Sequence, residues 1–188
     1  MEALKQFLMR RAFLAVLLSA ALPAAAQECY SVGPAGGRVA FELKQAGSPF
    51  RGVFRRFGGE LCIAQRQVTR IDVWLEPASV DTALPEIDAA LKEKDFFDVA
   101  SHPRIVFTSE AVQPRADQQV ARGRLEIKGN RRSVEVPFRL VERGGKPTVS
   151  GSFTLDRLVY GIGTGEWSDT RWLGAEVRIE FSVVLSPG

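Results

Sequence analysis

The sequence predicts an all-β fold, an antiparallel eight-stranded barrel with one short helix, preceded by a cleaved signal peptide. Apolar and polar residues alternate with a period of two over most of the chain, which is typical of strands with one buried face. One segment instead has the spacing of an amphipathic helix. Short glycine-containing turns separate the alternating runs, so consecutive strands should be antiparallel neighbours, and that order favours a barrel over a sandwich.

Residues 1–26 have the features of a secretory signal peptide, which leaves 27–188 as one predicted domain. Basic residues precede an apolar run from 12 to 22, and small residues follow before the expected cleavage site. This run is too short to cross a bilayer, which needs about 20 residues, and no later run is longer, so stable membrane insertion is not expected. The predicted location is the bacterial periplasm.

Eight alternating runs follow in the mature chain. Their inward positions, in chain order, are Val39, Phe41 and Leu43; Phe50 and Phe54, with Phe57, Leu61 and Ile63 on the other parity; Ile71, Val73 and Leu75; Ile105 and Phe107; Gly123, Leu125 and Ile127; Val134, Val136, Phe138 and Leu140; Val149, Gly151, Phe153 and Leu155; and Ala175 to Leu185 at every second residue.

Two segments depart from simple alternation. The change of parity after Phe54 predicts a β-bulge near Arg55 and Arg56, which would bend a long strand. Residues 84–92 have apolar side chains at spacings of three and four, with a proline suited to a first turn, and predict a short helix. The adjacent rings of Phe96 and Phe97 follow it, and at least one of them should cover an end of the barrel.

Cys29 and Cys62 are the only cysteines of the chain. An even number of cysteines in an oxidising compartment predicts a disulfide, which would close a loop of 33 positions and stabilise the fold by about 3 to 4 kcal/mol. The alternative is a redox-active pair, although no C-x-x-C spacing is present to lower a thiol pKa.

Composition and motifs argue against several function classes. Loss of the signal peptide lowers the net charge from +3 to +1, which is unlike a protein that binds nucleic acid through a broad basic face. A single histidine, His102, and the absence of a G-x-S-x-G motif argue against an enzyme of the serine hydrolase type. One histidine and two paired cysteines do not supply a metal site, and no cofactor is expected.

An ordered set of motifs resembles the YceI-like family. The central part consists of Ser79-Val80-Asp81-Thr82, Leu91-Lys92, Asp95-Phe96-Phe97-Asp98-Val99 and His102-Pro103-Arg104-Ile105-Val106-Phe107. The outer parts are Phe50-Arg51-Gly52-Val53-Phe54 with Gly59, Leu125-Glu126-Ile127-Lys128-Gly129-Asn130-Arg131, and Asp156-Arg157-Leu158-Val159-Tyr160-Gly161-Ile162-Gly163. The resemblance spans nearly the whole mature chain.

This resemblance implies a periplasmic, lipocalin-like barrel that holds a polyisoprenoid or another lipid-like chain in an apolar tunnel and is not an enzyme. We therefore expect an isoprenoid-type ligand of the quinone or prenyl phosphate class, bound for sequestration or transport. Burial of such a chain needs only an apolar slot, because each buried CH₂ contributes about 0.8 kcal/mol. The predicted tunnel lining is Phe41, Phe54, Ile71, Val73, Phe96, Phe97, Phe107, Leu125, Phe138, Phe153, Tyr160, Trp167, Trp172 and Phe181.

A phosphate head group would need a cation at the tunnel mouth, and a guanidinium offers a forked pair of donors. Arg157 is the first candidate, because it lies between a predicted strand end and a glycine-rich loop. Arg51, Arg55 and Arg56 are the next candidates. The alternative for each is an arginine that is solvated or paired with an aspartate.

Two other functions remain open from the sequence. A barrel filled by its own side chains would leave a protein-interaction module, which would use Trp74 and the serine- and threonine-rich outer face of residues 148–154. A redox-coupled protein that uses the two cysteines is the weaker alternative. The sequence leaves the oligomeric state open between a monomer and a homodimer.

Overall fold

The computed structural model describes residues 27–188, so the predicted signal peptide at 1–26 lies outside the described residues. Within the described part, no helix is long and apolar enough to span a lipid bilayer. The strands are β1 (Glu28–Val32), β2 (Arg38–Gln45), β3 (Ser48–Phe54), β4 (Phe57–Ala64), β5 (Gln67–Leu75), β6 (Val80–Asp81), β7 (Ile105–Arg115), β8 (Gln118–Ile127), β9 (Asn130–Arg143), β10 (Lys146–Asp156), β11 (Glu176–Val184) and β12 (Ser186–Pro187).

One helix, α1 (Pro85–Lys92), lies between β6 and β7, where the sequence predicts it. Pro85 occupies the first turn, acidic Glu86 and Asp88 follow it, and Lys92 lies in the last turn, so the charges suit the helix dipole. Three short 3-10 helices span Pro77–Ser79, Leu158–Tyr160 and Gly165–Ser168.

All strands belong to one curled antiparallel sheet with the order β12-β1-β4-β5-β7-β8-β9-β10-β11-β2-β3-β6. The all-β, antiparallel prediction is therefore confirmed, whereas the described residues form twelve strands and not eight. Three of the additional strands are β1, β6 and β12, and two of these have only two residues each. The fourth arises because one predicted strand is divided in two.

This division lies at Arg55 and Arg56, where the sequence predicts a bulge. β3 ends at Phe54 after pairing with β2, and β4 begins at Phe57 and pairs with β5. Between them the Arg55 N–H donates to the Ser79 carbonyl at 3.0 Å, and the Glu76 N–H donates to the Arg56 carbonyl at 2.9 Å. The strand is interrupted because the chain changes its pairing partner here.

Tight hairpins fix the order of the later strands. Lys128 and Gly129 connect β8 to β9, and Gly144 and Gly145 connect β9 to β10. All four residues have positive φ, as a two-residue type I′ turn requires. The predicted antiparallel neighbours are confirmed, although the first turn lies one residue earlier than Gly129-Asn130, because Asn130 already pairs with Ile127.

The inward side chains form two hydrophobic clusters. One contains Phe41, Phe54 and Phe96 and lies next to α1, and the other contains Leu61, Phe138 and Leu185. Phe107, Val134 and Phe153 pack against both clusters. Within the described residues, every buried side-chain nitrogen and oxygen has a hydrogen-bond partner.

Candidate functional site

The apolar interior of the sheet encloses two neighbouring cavities, each with a volume of about 170 Å³. The first cavity lies beneath α1 and the loop between β10 and β11, and the second lies further from α1. Each resembles in size an apolar cavity of about 150 Å³ that stays dry and holds one benzene molecule.

Strands, helix and loop all contribute to the first cavity. The strand residues include Phe41, Phe54, Ile127 and Leu155, and α1 contributes Ile87, Ala90 and Leu91. Asp88 fastens the helix in place, because its Oδ1 accepts hydrogen bonds from the Thr82 N–H at 2.8 Å and the Thr82 hydroxyl at 2.7 Å. Gln45 is the single amide side chain in this lining, and Arg157 is the single charged one.

The second cavity has no charged side chain in its lining. Ile71, Val73, Phe138, Phe181 and other apolar residues surround it. At the edge of this cavity, the ring of Trp74 lies against Gly58. The Arg104 guanidinium lies over the same ring, 4.5 Å from the ring centroid. The outward Trp74 is thus already covered by a cation–π contact.

Twelve of the fourteen predicted lining residues border these cavities. Phe41, Phe54, Phe96, Phe97 and Trp167 line the first; Ile71, Val73, Phe107, Phe138 and Phe181 line the second; Leu125 and Phe153 line both. Both Phe96 and Phe97 border the first cavity.

Tyr160 and Trp172 border neither cavity. Tyr160 is 1 % exposed and packs in the core beside the first cavity. Trp172 is 65 % exposed, because it lies in the outer loop before β11. The sequence places both near the barrel end but does not determine which way the loop turns them.

Several lining residues are absent from the sequence prediction. Ile87 and Leu91 face the first cavity from α1, and their spacing of four residues is the signal that could have identified them. Leu43, Leu75, Ile105 and Ile179 lie at inward positions that the alternation already marks. These aliphatic residues enclose the cavities together with the phenylalanines.

The environment of Arg157 differs from the one predicted. The side chain is 1 % exposed, and all five of its N–H groups donate to backbone carbonyls. The acceptors are Gly174 at 3.0 Å, Ile162 at 2.7 Å, Gly163 at 2.8 Å, Trp167 at 2.7 Å and Leu173 at 2.7 Å. No donor is left for a head group, so Arg157 instead holds the loop that covers the first cavity.

Burial lowers the pKa of Arg157 from its ordinary value. The five carbonyl oxygens compensate for the lost hydration of the guanidinium. In the same loop, Asp169 accepts hydrogen bonds from Arg171, and these hold the pKa of Asp169 at about 2. The Asp169–Arg171 pair is exposed at the surface and does not face the cavity lining.

The other three predicted head-group arginines lie on the outer surface. Arg51 pairs with Glu42 at 2.5 Å, Arg55 pairs with Asp81 at 2.6 Å, and Arg56 pairs with Glu76. None of the three belongs to the lining of either cavity. Their side chains point outward because they occupy or adjoin polar positions of β3, so the alternative of surface ion pairs applies to them.

The first cavity approaches the solvent at Trp167. This residue is 38 % exposed, and its ring centroid lies 5.6 Å from that of Phe96. The exposed Gln45, at the end of β2, also borders the cavity. Its backbone forms an isolated antiparallel β-bridge with Leu173 of the loop. With Ala90 of α1, Trp167 and Gln45 are the exposed residues of this lining, and we take them as the mouth of the cavity.

The predicted disulfide is present. Cys29 of β1 and Cys62 of β4 are directly opposed in the sheet, with an S–S distance of 2.05 Å. Glu60 lies near the two sulfurs, and the three residues have the spacing of a metal-ligand group. Since the sulfurs are bonded to each other, they are not available as thiolate ligands.

Comparison with known proteins decides the family. The sequence model of the family described as "YceI-like domain" matches residues 30–185. The chain belongs to the YceI-like family.

Relatives in this family resemble the chain over most of its length. Protein YceI of Escherichia coli O157:H7 is 28% identical over 149 residues, which cover 77% of each chain. A UPF0312 protein of Pectobacterium atrosepticum is 27% identical over 147 residues, again with 77% coverage of each chain.

Solved structures have the same YceI-like fold. BcnA of Burkholderia cenocepacia is 29% identical, with a TM-score of 0.77 over 81% of this chain and 98% of that chain. A polyisoprenoid binding domain from Saccharophagus degradans, implicated in plant cell wall breakdown, has a TM-score of 0.67 at 12% identity over 85% of this chain and 98% of that chain. At that identity the likeness concerns the fold alone.

Proposed function

We propose that this protein binds the apolar chain of an isoprenoid-type lipid inside its curled sheet, in the periplasm, and sequesters or carries it. The observation that carries the proposal is the pair of adjoining cavities lined almost entirely by apolar side chains. A hydrocarbon chain gains free energy in such a space without directional contacts. The description of a similar fold as a polyisoprenoid binding domain supports the same ligand class.

The cavities favour a neutral head group, such as a quinone, over a prenyl phosphate. A phosphate buried without a free cationic donor would lose its hydration and gain no compensating hydrogen bond. In the lining of the two cavities the one charged side chain, Arg157, already uses every donor on backbone carbonyls. The Gln45 amide N–H at the mouth can donate a hydrogen bond to a quinone carbonyl oxygen.

The alternatives from the sequence receive less support. A barrel filled by its own side chains would contain no room of this kind. A redox pair would need accessible thiols, whereas Cys62 is fully buried in a formed disulfide. The formed disulfide also supports an oxidising compartment such as the periplasm.

Extraction of the purified protein tests the proposal. The full chain is expressed with export, and the purified protein is extracted with organic solvent and analysed by mass spectrometry. A stoichiometric isoprenoid supports the proposal. The delipidated protein is then titrated with farnesol and farnesyl phosphate, and we expect the alcohol to bind at least about tenfold more tightly.

Two outcomes would contradict the proposal at different levels. Absence of any extracted lipid, together with no binding of either compound, would contradict lipid binding itself. Tighter binding of farnesyl phosphate than of farnesol would contradict the neutral head group and leave the apolar cavity as the binding site.

A further inference from the structure

We infer that Phe153 determines the length of apolar tail that the protein accepts, because its ring separates the first cavity from the second. This inference rests on the proposed lipid-binding function and adds a residue that determines specificity.

Six residues border both cavities and therefore mark the boundary between them. They come from six different strands and are Val39, Leu75, Ile105, Leu125, Phe153 and Ile179. The boundary is thus a ring of inward side chains around the interior of the sheet. We call these six residues the waist.

Phe153 is distinct from the rest of the waist in two ways. It is the only aromatic residue among the six, so it has the largest rigid group at the boundary. It is also the only one of them that packs against both hydrophobic clusters. On the neighbouring strand Ile179 lies directly opposite it, and Phe41 of β2 lies opposite Ile179 in turn.

The position of Phe153 explains its incomplete burial. Its neighbours Ser152 and Thr154 occupy the outward positions of β10, so its own ring points inward. The residue is nevertheless only half-buried, whereas the inward Phe138 is 2 % exposed. The half-buried Phe107 and Phe181 border the second cavity alone, whereas Phe153 borders both cavities.

The volumes indicate what this separation does to a ligand. Each cavity alone has room for about six carbon atoms, by comparison with the benzene-sized cavity of about 150 Å³. A chain that enters at the mouth fills the first cavity and then meets Phe153. Replacement of its benzyl side chain by the methyl group of alanine removes a benzene-sized obstacle and joins the cavities.

The test compares prenyl alcohols of ten, fifteen and twenty carbons: geraniol, farnesol and geranylgeraniol. The delipidated full protein binds the neutral dye N-phenyl-1-naphthylamine, and each alcohol is titrated against it. For the unaltered protein we expect farnesol and geranylgeraniol to differ by less than about threefold in Kd, because the added carbons do not pass the waist. For Phe153→Ala we expect geranylgeraniol to bind at least about tenfold more tightly than farnesol, since the joined space buries more carbons of the longer chain.

Two further variants sharpen the comparison. Phe153→Trp keeps an aromatic ring at the waist and should therefore retain the similar Kd values of farnesol and geranylgeraniol expected for the unaltered protein. Phe138→Ala is the matched control: it removes the same ring from the wall of the second cavity alone and should keep the farnesol-to-geranylgeraniol ratio of the unaltered protein. Denaturant unfolding verifies that each variant is folded, and Phe153→Leu replaces Phe153→Ala if the alanine variant is not.

The outcomes separate this inference from the proposed function. If no alcohol displaces the dye from any form, the proposed function is wrong. If the alcohols bind but Phe153→Ala has the same length dependence as the unaltered protein, the proposed function stands and the role of Phe153 is overturned. An equal change in Phe138→Ala would also overturn it, since general enlargement of the interior would then explain the effect.

Discussion

Arg157 is a cation whose partners are all backbone groups. Arg157 lies at the start of the loop after β10. Its five hydrogen bonds connect this position to the carbonyl groups of Ile162, Gly163, Trp167, Leu173 and Gly174. The planar guanidinium suits this task because its five donors have fixed directions. A lysine would offer three donors from a single nitrogen and could not reach the same set of carbonyls.

We predict that Arg157→Ala destabilises the protein by at least about 3 kcal/mol. The substitution removes five charge-assisted bonds and leaves several buried carbonyls without a donor. Urea unfolding measures the change, and Arg51→Ala is the control, because its solvent-exposed pair with Glu42 should contribute little to stability. A loss for Arg157→Ala no larger than for Arg51→Ala would contradict a structural role for the buried guanidinium.

The role of Arg157 could not be predicted from residue types. Its acceptors are main-chain oxygens of residues 162–174, and any residue can supply such an oxygen. The sequence placed the arginine correctly beside a glycine-rich loop but did not determine whether the loop folds over it. Phe41, Phe138 and Phe153 were predictable, because a position in an alternating strand determines the face of the sheet.

At the level of the strands, the disulfide joins β1 to β4 at an edge of the sheet where β1 has only five residues. The other side of β1 pairs with the two-residue β12. β12 is the edge strand, and with two residues it forms few ladder hydrogen bonds with β1. The covalent link therefore fastens β1 to β4 where the pairing of β1 on its other side is short.

We predict that the double variant Cys29→Ala/Cys62→Ala loses about 3 to 4 kcal/mol of unfolding free energy, as expected for a loop of 33 positions. Guanidinium unfolding under oxidising conditions measures the loss. Farnesol binding should be retained under native conditions, since neither cysteine borders a cavity. Equal unfolding midpoints for the variant and the oxidised protein would contradict the stabilising role of the bridge.

Strand interruptions were harder to predict than strands. A slip in apolar parity indicates that regular pairing stops, but a bulge and a change of partner give the same slip. At Arg55 and Arg56 the second explanation applies, because β3 and β4 pair with different strands. The two-residue strands β6 and β12 carry no periodic signal at all, since their pairing depends on neighbours that are distant in sequence.

For the molecule as a whole, the family and the all-β architecture were accessible from the sequence, because ordered motifs and periodicity extend over most of the chain. The interior volume could not be predicted from the sequence. In a barrel of the predicted eight strands, side chains either fill the centre or leave room for one small ligand. The outcome depends on where each ring lies, as the contrast between Phe153 at the waist and the displaced Trp172 illustrates.

Internal voids make a protein sensitive to hydrostatic pressure, because unfolding eliminates them and reduces the system volume. The two cavities predict a measurable negative volume change on unfolding of the lipid-free protein, on the order of −20 to −100 mL/mol. The magnitude should decrease when farnesol fills the first cavity and increase in Phe153→Ala, as high-pressure tryptophan fluorescence can record. A volume change that is the same in all three samples would mean that water already occupies the space between the strands.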